Sequence, residues 1–482
     1  MSRKYRIITD YNFRIIAYLP MFYTVLAQVG VFYCFFMNNL YDLSINKVTD
    51  LGFGVAELNG KDVFVDGTYT GEKVKVLIQE EHPTYYSAEL REVLEPSPFR
   101  IEHVCRCASC GGCSFDFIEQ EELLRLKNEF LVSCLKENGI KFNYALPKCI
   151  GMDDFRAYRN KAIYYVRNQN GEFVIGFFAK HSHNLIKIDN CILEPECTAR
   201  TNAIIADWAN EFGISAYDEK NGNGLIKNIV YRFGVQTDEK MLVIVAADYN
   251  IEHLDELVAG LSKMNFSSIW LCKNDGTNNN IWTEDLKHIS GNRYISTRLC
   301  NLKFELAPRS FFQLNSSQCE KLYQIVLDFA QLKSEDLVFD LYCGIGTISL
   351  LLARNAKKVY GIEIIPEATE NAKTNAELNG LNNVEFISGK SEIVCEKLVK
   401  DQKIEANVVV VDPPRKGCDV SLISTLLFLK AEKIIYVSCN PKSLARDLKL
   451  LTGKYNVERI ATVDLFPNTL NVETVVLLSR EK

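Results

Sequence analysis

Four cysteines stand close together in the stretch HVCRCASCGGCSF (103–115): Cys105, Cys107, Cys110 and Cys113. Thiolates at such spacing bind soft metals. Cys107, Cys110 and Cys113 follow the C-x2-C-x2-C run of bacterial ferredoxins, but Phe117 occupies the place of that run's fourth cysteine, so a fourth ligand must come from elsewhere. Three readings compete. Zinc could be held by two pairs, such as Cys110 and Cys113 with Cys191 and Cys197. An iron–sulfur cluster is the second, and free thiols without a metal are the third.

The last third of the chain carries a different chemistry. In DLYCGIGTISL (340–350) an acidic strand end runs through a glycine turn into a helix, so that backbone can approach a ligand closely. Glu363 of GIEI ends the next apolar run about twenty residues on, where a carboxylate commonly holds a ribose hydroxyl pair. The turn lacks the third glycine of a dinucleotide fingerprint, so S-adenosylmethionine fits better than NAD. VVVVDPPRKG (408–417) ends a strand in Asp412, and its two prolines forbid further pairing. YVSCNP (436–441) ends another in Cys439, a candidate thiolate nucleophile, and Glu473 of FPNTLNVET stands just before the final strand. The bland alternatives are a plain βα turn, a strand terminator and a buried core cysteine.

These residues need elements to hold them. From about residue 330, apolar runs (LVFDLYCGIG, KVYGIEI, VEFISG, ANVVVVDPPR, KIIYVSC) alternate with helical segments, which predicts a parallel sheet covered on both faces. Its carboxyl edge would gather Glu363, Asp412 and Cys439. Residues 41–97 hold short alternating runs between Gly, Asn and Asp turns, predicting a small barrel. EPSPF (95–99) reads as a linker. The stretch EQEELLRLKNEFLVSCLKENG reads as a helix with Leu123, Leu124, Phe130, Leu131 and Leu135 on one face. Basic and aromatic residues interleave at 156–187, among them Arg156, Tyr158, Tyr164, Tyr165 and Arg167. They would contact RNA, or form a hairpin with Ala162, Tyr164 and Val166 packed inward; both can hold for opposite faces.

The chain has 482 residues, room for several domains, with 47% hydrophobic and 24% charged residues and a net charge of −6. A dedicated nucleic-acid coat would be basic, so any RNA contact must be local. The 16 cysteines, mostly single among apolar residues, suit a reducing cytoplasm. Residues 15–36 carry no charge and follow Arg3, Lys4, Arg6 and Arg14. They read as a membrane anchor, a secretory signal, or a stretch upstream of a true start at Met37, and the last is favoured.

Taken together, RSFFQLN (309–315), DLYCGIGTISL, GIEIIPEATENAKTNAELNG (361–380), VVDPPRKG, YVSCNP and FPNTLNVETV resemble, in order, the RNA uracil-5-methyltransferase family. Residues 41–97 resemble its TRAM domain, an OB-like RNA-binding barrel, and 158–191 its central domain. The resemblance implies an α/β protein with four parts: the apolar segment 1–36, the TRAM-like barrel 41–97, an α+β central domain 98–304 with the cysteine cluster, and a Rossmann-like methyltransferase domain 305–482. It implies methylation of uridine C5 (EC class 2.1.1) with S-adenosylmethionine as donor. Cys439 matches the nucleophile that adds to C6, and Glu473 the base that removes the C5 proton. Gln313, Tyr342, Glu363 and Asp412 match cofactor and pocket residues. It further implies a [4Fe-4S] cluster on Cys105, Cys110, Cys113 and Cys191. The family's first two ligands are spaced C-x5-C, whereas Cys105 gives C-x4-C and Cys107 gives C-x2-C; FRIEHVC favours Cys105. Asn468 stands where the family often has His, and Thr347 near a usual Asn.

The cysteine cluster with a TRAM domain resembles the 23S rRNA branch, and a tRNA enzyme is the alternative. RNA, not DNA or membrane, is the expected partner, and a cytoplasmic monomer the expected form. A non-catalytic RNA-binding protein would not need both Cys439 and Glu473. Cytosine methylation would need a different cysteine context from VSCNP.

Overall fold

The computed structural model describes residues 40–107, 109–142, 144–180, 182–276 and 280–481; the apolar segment 1–36, with its three readings, lies outside the described residues. The chain forms two compact units, one on residues 40–48 and 53–97, the other on 49–52 and 98–481.

The first unit has six strands: β1 (Leu40–Ser44), β2 (Lys47–Val48), β3 (Phe53–Leu58), β4 (Lys61–Asp66), β5 (Lys73–Glu81) and β6 (Tyr85–Glu95). They form one sheet in the order β1-β5-β6-β4-β3-β2. Alternation turns Val63, Val65, Val74 and Val76 into a core of their own with Leu43 and Ile45. The closed barrel expected for 41–97 is not formed. Among the described residues, edge strand β1 pairs only with β5, and β2, two residues long, pairs only with β3, too short a ladder to close the sheet.

In the second unit the predicted helix is α1 (Gln120–Glu137), burying Leu123, Leu131 and Leu135. A seven-stranded sheet follows, in the order β13-β12-β11-β10-β7-β8-β9. Its strands are β7 (Lys161–Gln169), β8 (Glu172–Phe178), β9 (Leu185–Lys187), β10 (Ile226–Phe233), β11 (Lys240–Ala246), β12 (Ser268–Lys273) and β13 (Leu286–Gly291). Helices α2 (Cys197–Glu211) and α3 (Leu254–Leu261) cover one face, on which Ala162, Tyr164 and Val166 point inward as the hairpin reading expects. Tyr165 stacks on Phe178 at 4.2 Å between ring centres, and Arg156 and Arg167 pair with Asp154 and Glu219.

After a hairpin of β14 (Ile295–Leu299) and β15 (Leu302–Leu306) comes α4 (Ser316–Ala330), capped by Asn315. The last sheet runs β18-β17-β16-β19-β20-β22-β21. It comprises β16 (Leu337–Leu341), β17 (Lys358–Glu363), β18 (Val384–Ser388), β19 (Val408–Val411), β20 (Lys433–Ser438), β21 (Tyr455–Val463) and β22 (Glu473–Arg480). The first five are parallel, and β22 runs antiparallel between β20 and β21. Both faces are buried, as the continuous apolar runs require: Val408 and Val410 enter one core, Val409 and Val411 the other. The interleaved helices are α5 (Thr347–Ala353), α6 (Pro366–Leu378), α7 (Ser391–Lys400), α8 (Val420–Leu429) and α9 (Pro441–Leu451). Strand order reverses between β16 and β19, which opens a crevice at their carboxyl ends.

Candidate active site

A cavity of about 660 Å³ occupies that crevice, and Gln313, Tyr342, Glu363, Asp412, Cys439 and Glu473 all line it. The residues singled out from sequence for catalysis and cofactor binding thus meet in one place.

The glycine turn forms the floor. Tyr342 takes φ 65°, a strained conformation for an aromatic residue, and Gly346 takes φ 86° at the head of α5. A Cβ on Gly346 would lie 2.7 Å from the Phe386 ring, so only glycine fits. Glu363 ties this turn to β17, accepting from Gly344 N–H at 3.1 Å and Ile365 N–H at 2.9 Å. Each carboxylate oxygen keeps lone-pair capacity for a ligand hydroxyl.

The opposite wall carries the reactive groups. Cys439 sits between β20 and α9, whose N-cap Asn440 accepts from Lys442 N–H at 3.1 Å, with Pro441 starting the helix. Asn440 Nδ2 donates to Arg415 O at 2.9 Å, stitching the Cys439 turn to the Asp-Pro-Pro-Arg loop. Ser438 opposes Thr474 in the β20–β22 ladder, which brings Glu473 beside Cys439. Burial pushes the Glu473 carboxyl up to about 8, helped by Asp412 and opposed by Arg415. Burial also pushes the Asp412 carboxyl up to about 6. The Cys439 thiol is pushed up to about 12, first by burial, then by the Glu473 and Asp412 charges, against Arg415. Arg415 Nη2 donates to Asn471 Oδ1 at 3.0 Å.

Some lining residues were not singled out beforehand. Asp340 is buried, takes a hydrogen bond from Ser349 Oγ on one oxygen, and has no partner on the other among the described residues; burial pushes it up to about 7. Arg415 and Phe311, the latter 71% exposed, also line the cavity. The signals were the acid that opens DLYCG and the arginine after the two prolines. Of the two departures, Thr347 lines the cavity with its Oγ1 3.1 Å from Tyr323 Oη. Asn468 does not line it. Its φ of 62° suits asparagine, and its carbonyl accepts from Phe115 N–H at 2.9 Å.

A second cavity, about 420 Å³, is lined by Cys105, Cys107, Cys110, Cys113 and Cys191, with Arg159 and Leu314. Cys197 is not among its lining residues, so the zinc pairing that used it loses a member. The 15 described cysteines are free thiols. Among the described residues no group of three or more His, Cys, Asp or Glu is arranged to hold a metal ion, so the expected ligand geometry is not formed. The donor set still fits a thiolate-held group. Cys107 N–H and Gly112 N–H each point at a sulfur, Cys105 Sγ and Cys110 Sγ, at 3.4 Å. The Arg159 guanidinium adds a positive charge to the wall. Burial pushes the Cys113 and Cys191 thiols up to about 12, so ligation must displace their protons.

Residues 286–481 match the family described as tRNA (Uracil-5-)-methyltransferase. An uncharacterized RNA methyltransferase of Clostridium acetobutylicum is 39% identical over 450 residues, covering 92% of this chain and 97% of the relative. One from Oceanobacillus iheyensis is 37% identical over 92% and 97% of the two chains. The crystal structure of a Pyrococcus abyssi tRNA (uracil-54, C5)-methyltransferase in complex with S-adenosyl-L-homocysteine superposes with a TM-score of 0.73 at 26% identity. It covers 91% of this chain and 100% of that one. Fold and site thus define an S-adenosylmethionine-dependent RNA methyltransferase of mixed α/β architecture. The chain belongs to the RNA uracil-5-methyltransferase family.

Proposed function

We propose that this protein methylates uridine C5 in RNA through a covalent adduct on Cys439, with Glu473 as the base. The observation that carries this is the meeting of Cys439, Glu473 and Asp412 on one wall of a cavity whose floor is the glycine turn and Glu363. Uracil C5 is a weak nucleophile. Addition of the Cys439 thiolate to C6 turns the ring into an enolate with charge on C5 and O4. C5 then takes the sulfonium methyl and S-adenosylhomocysteine leaves. Glu473 takes the C5 proton, the electron pair reforms C5=C6, and the C6–S bond breaks to return the thiolate. Arg415, which opposes the upward shifts of both groups, favours their anionic forms. Gln313, Tyr342, Glu363 and Asp412 bind donor and base, and the uridine must leave its stack to enter.

The favoured substrate is 23S rRNA, on the resemblance of the cysteine cluster and of residues 41–97, as a TRAM-like RNA-binding unit, to that branch. In this reading Cys105, Cys110, Cys113 and Cys191 hold a [4Fe-4S] cluster with a structural or RNA-positioning role, and Cys107 is spare. The protein acts as a cytoplasmic monomer; no helix among the described residues is long and apolar enough to cross a membrane. The tRNA enzyme of Pyrococcus abyssi, matched over its full length, favours a second reading, a tRNA substrate.

Cys439→Ala should abolish methyl transfer and the covalent RNA adduct, and Glu473→Gln should accumulate the adduct, both read on denaturing gels with a radiolabelled RNA. Full turnover by Cys439→Ala would sink the nucleophile. Mapping 5-methyluridine in total RNA with and without the protein separates the substrates: loss from tRNA alone defeats the rRNA reading.

A further inference from the structure

One short segment, residues 308–316, forms a wall of both cavities. Gln313 lines the donor pocket, and the next residue, Leu314, lines the cysteine cavity. Buried Asn160 holds this step from the side. Its N–H donates to Leu314 O at 3.0 Å, and its Nδ2 donates to Gln313 O at 2.7 Å and Ser316 Oγ at 2.9 Å. The segment that carries Asn160, just before β7, is bonded in turn to the chain following Cys191. Ala157 N–H donates to Ile192 O at 2.8 Å and Arg159 N–H to Leu193 O at 2.9 Å. Backbone links and hydrogen bonds together therefore lead from Cys191, through Ile192–Leu193 and Ala157–Asn160, to Gln313 of the other cavity. Arg232 grips the same segment further along and does not line the cysteine cavity. It is buried and donates from Nε to Pro308 O at 2.9 Å and from Nη2 to Ser310 O.

We infer that Asn160 is a positioning residue through which ligation of the cysteine cavity raises the donor pocket's affinity for S-adenosyl ligands. This rests on the thiolate-held cluster proposed above. Ligation ties Cys191 to the 105–113 loop, fixes residues 191–193, and through Arg159 and Asn160 fixes the Gln313–Leu314 step. A rigid wall costs an incoming ligand less ordering than a loose one.

The test is the dissociation constant of S-adenosylhomocysteine, measured by calorimetry on anaerobically purified full-length protein and on the same protein stripped with chelator and oxidant, then re-reduced. Iron, sulfide and zinc are assayed in each. Stripped wild type should bind about tenfold more weakly, within the range of ordinary site-to-site coupling. In Asn160→Ala the loaded and stripped forms should differ by less than about twofold, the gap having closed because the link is cut. Arg232→Met should weaken binding in both states alike and keep the gap. Equal affinities of loaded and stripped wild type, with cluster verified in the first, overturn the coupling and leave the cluster standing. Protein without iron, sulfide or zinc overturns the cluster reading and the coupling with it. If stripping abolishes the circular-dichroism signal, loaded protein alone decides. Asn160→Ala must then bind S-adenosylhomocysteine more weakly at wild-type iron content, and an unchanged constant refutes the role.

Discussion

Glu473 is a carboxyl group with almost no water around it, 4% exposed, and its neighbour Asp412 is acidic too. Two consequences follow from a carboxyl pushed up to about 8. A base must be ionised to accept a proton, so kcat/KM should fall as pH drops below about 8 in a profile governed by the free enzyme. The second consequence is for stability. An unfolded Glu ionises at about 4.3, so between that pH and about 8 the native protein holds a proton that the unfolded chain has lost. Stability from this group is therefore lost as pH rises through that window. Glu473→Gln removes the buried charge. Its melting temperature should match wild type near pH 5 and exceed it at pH 9 by about 2 °C or more. An equal melting temperature at both pH values would show that Glu473 is not held neutral by its surroundings. If Glu473 is the base proposed above, the proton carrier and the weak point in stability are the same side chain.

At the scale of elements, a buried ion pair is one of the contacts that hold the loop delivering Glu473. Lys127 of α1 and Asp464, both fully buried, are in contact, and Lys127 Nζ also donates to Phe466 O at 3.2 Å. Gln120 Nε2 reaches the other Asp464 oxygen at 3.0 Å. Lys127→Met would leave Asp464 buried without its cation, at a cost of about 3–5 kcal/mol. Because Phe466 lines the donor pocket, methyl transfer should fall with it. Urea denaturation checks the first expectation, and a loss below about 1 kcal/mol would show the pair to be dispensable. Sequence reasoning could not find Lys127: in RLKNEF it looks like any solvated helix lysine, and its partner lies more than 300 residues away. Glu363, Asp412 and Cys439 were legible because each ends an apolar strand, a position that topology turns into a site. The sheet in residues 41–97 was legible too, but not its openness, since closure depends on pairing between distant edges rather than on alternation along a strand. That the ligand geometry expected of Cys105, Cys110, Cys113 and Cys191 is not formed among the described residues was likewise beyond spacing alone. What the fold adds there is that Cys191 arrives beside the cluster from another segment while Cys197 does not.

For the molecule as a whole, charge decides how RNA can be held. A net charge of −6 repels a polyanion at long range, so affinity must come from local cations meeting phosphates. Such contacts release counterions, and binding then weakens linearly on a log–log plot against salt. The donor pocket belongs entirely to the second unit, whereas residues 40–48 and 53–97 have a separate core. If the first unit is an RNA-binding module, the two activities should come apart. A fragment of residues 98–482 should bind S-adenosylhomocysteine within about twofold of the full chain, because no pocket residue is lost. Its RNA affinity should drop by about tenfold or more, with a shallower salt slope, because each phosphate contact removed takes close to one unit from that slope. Filter binding across a salt series measures both quantities. An unchanged slope with unchanged affinity would assign RNA recognition to the second unit, whose basic and aromatic stretch between Arg156 and Lys187 is then the first candidate to test.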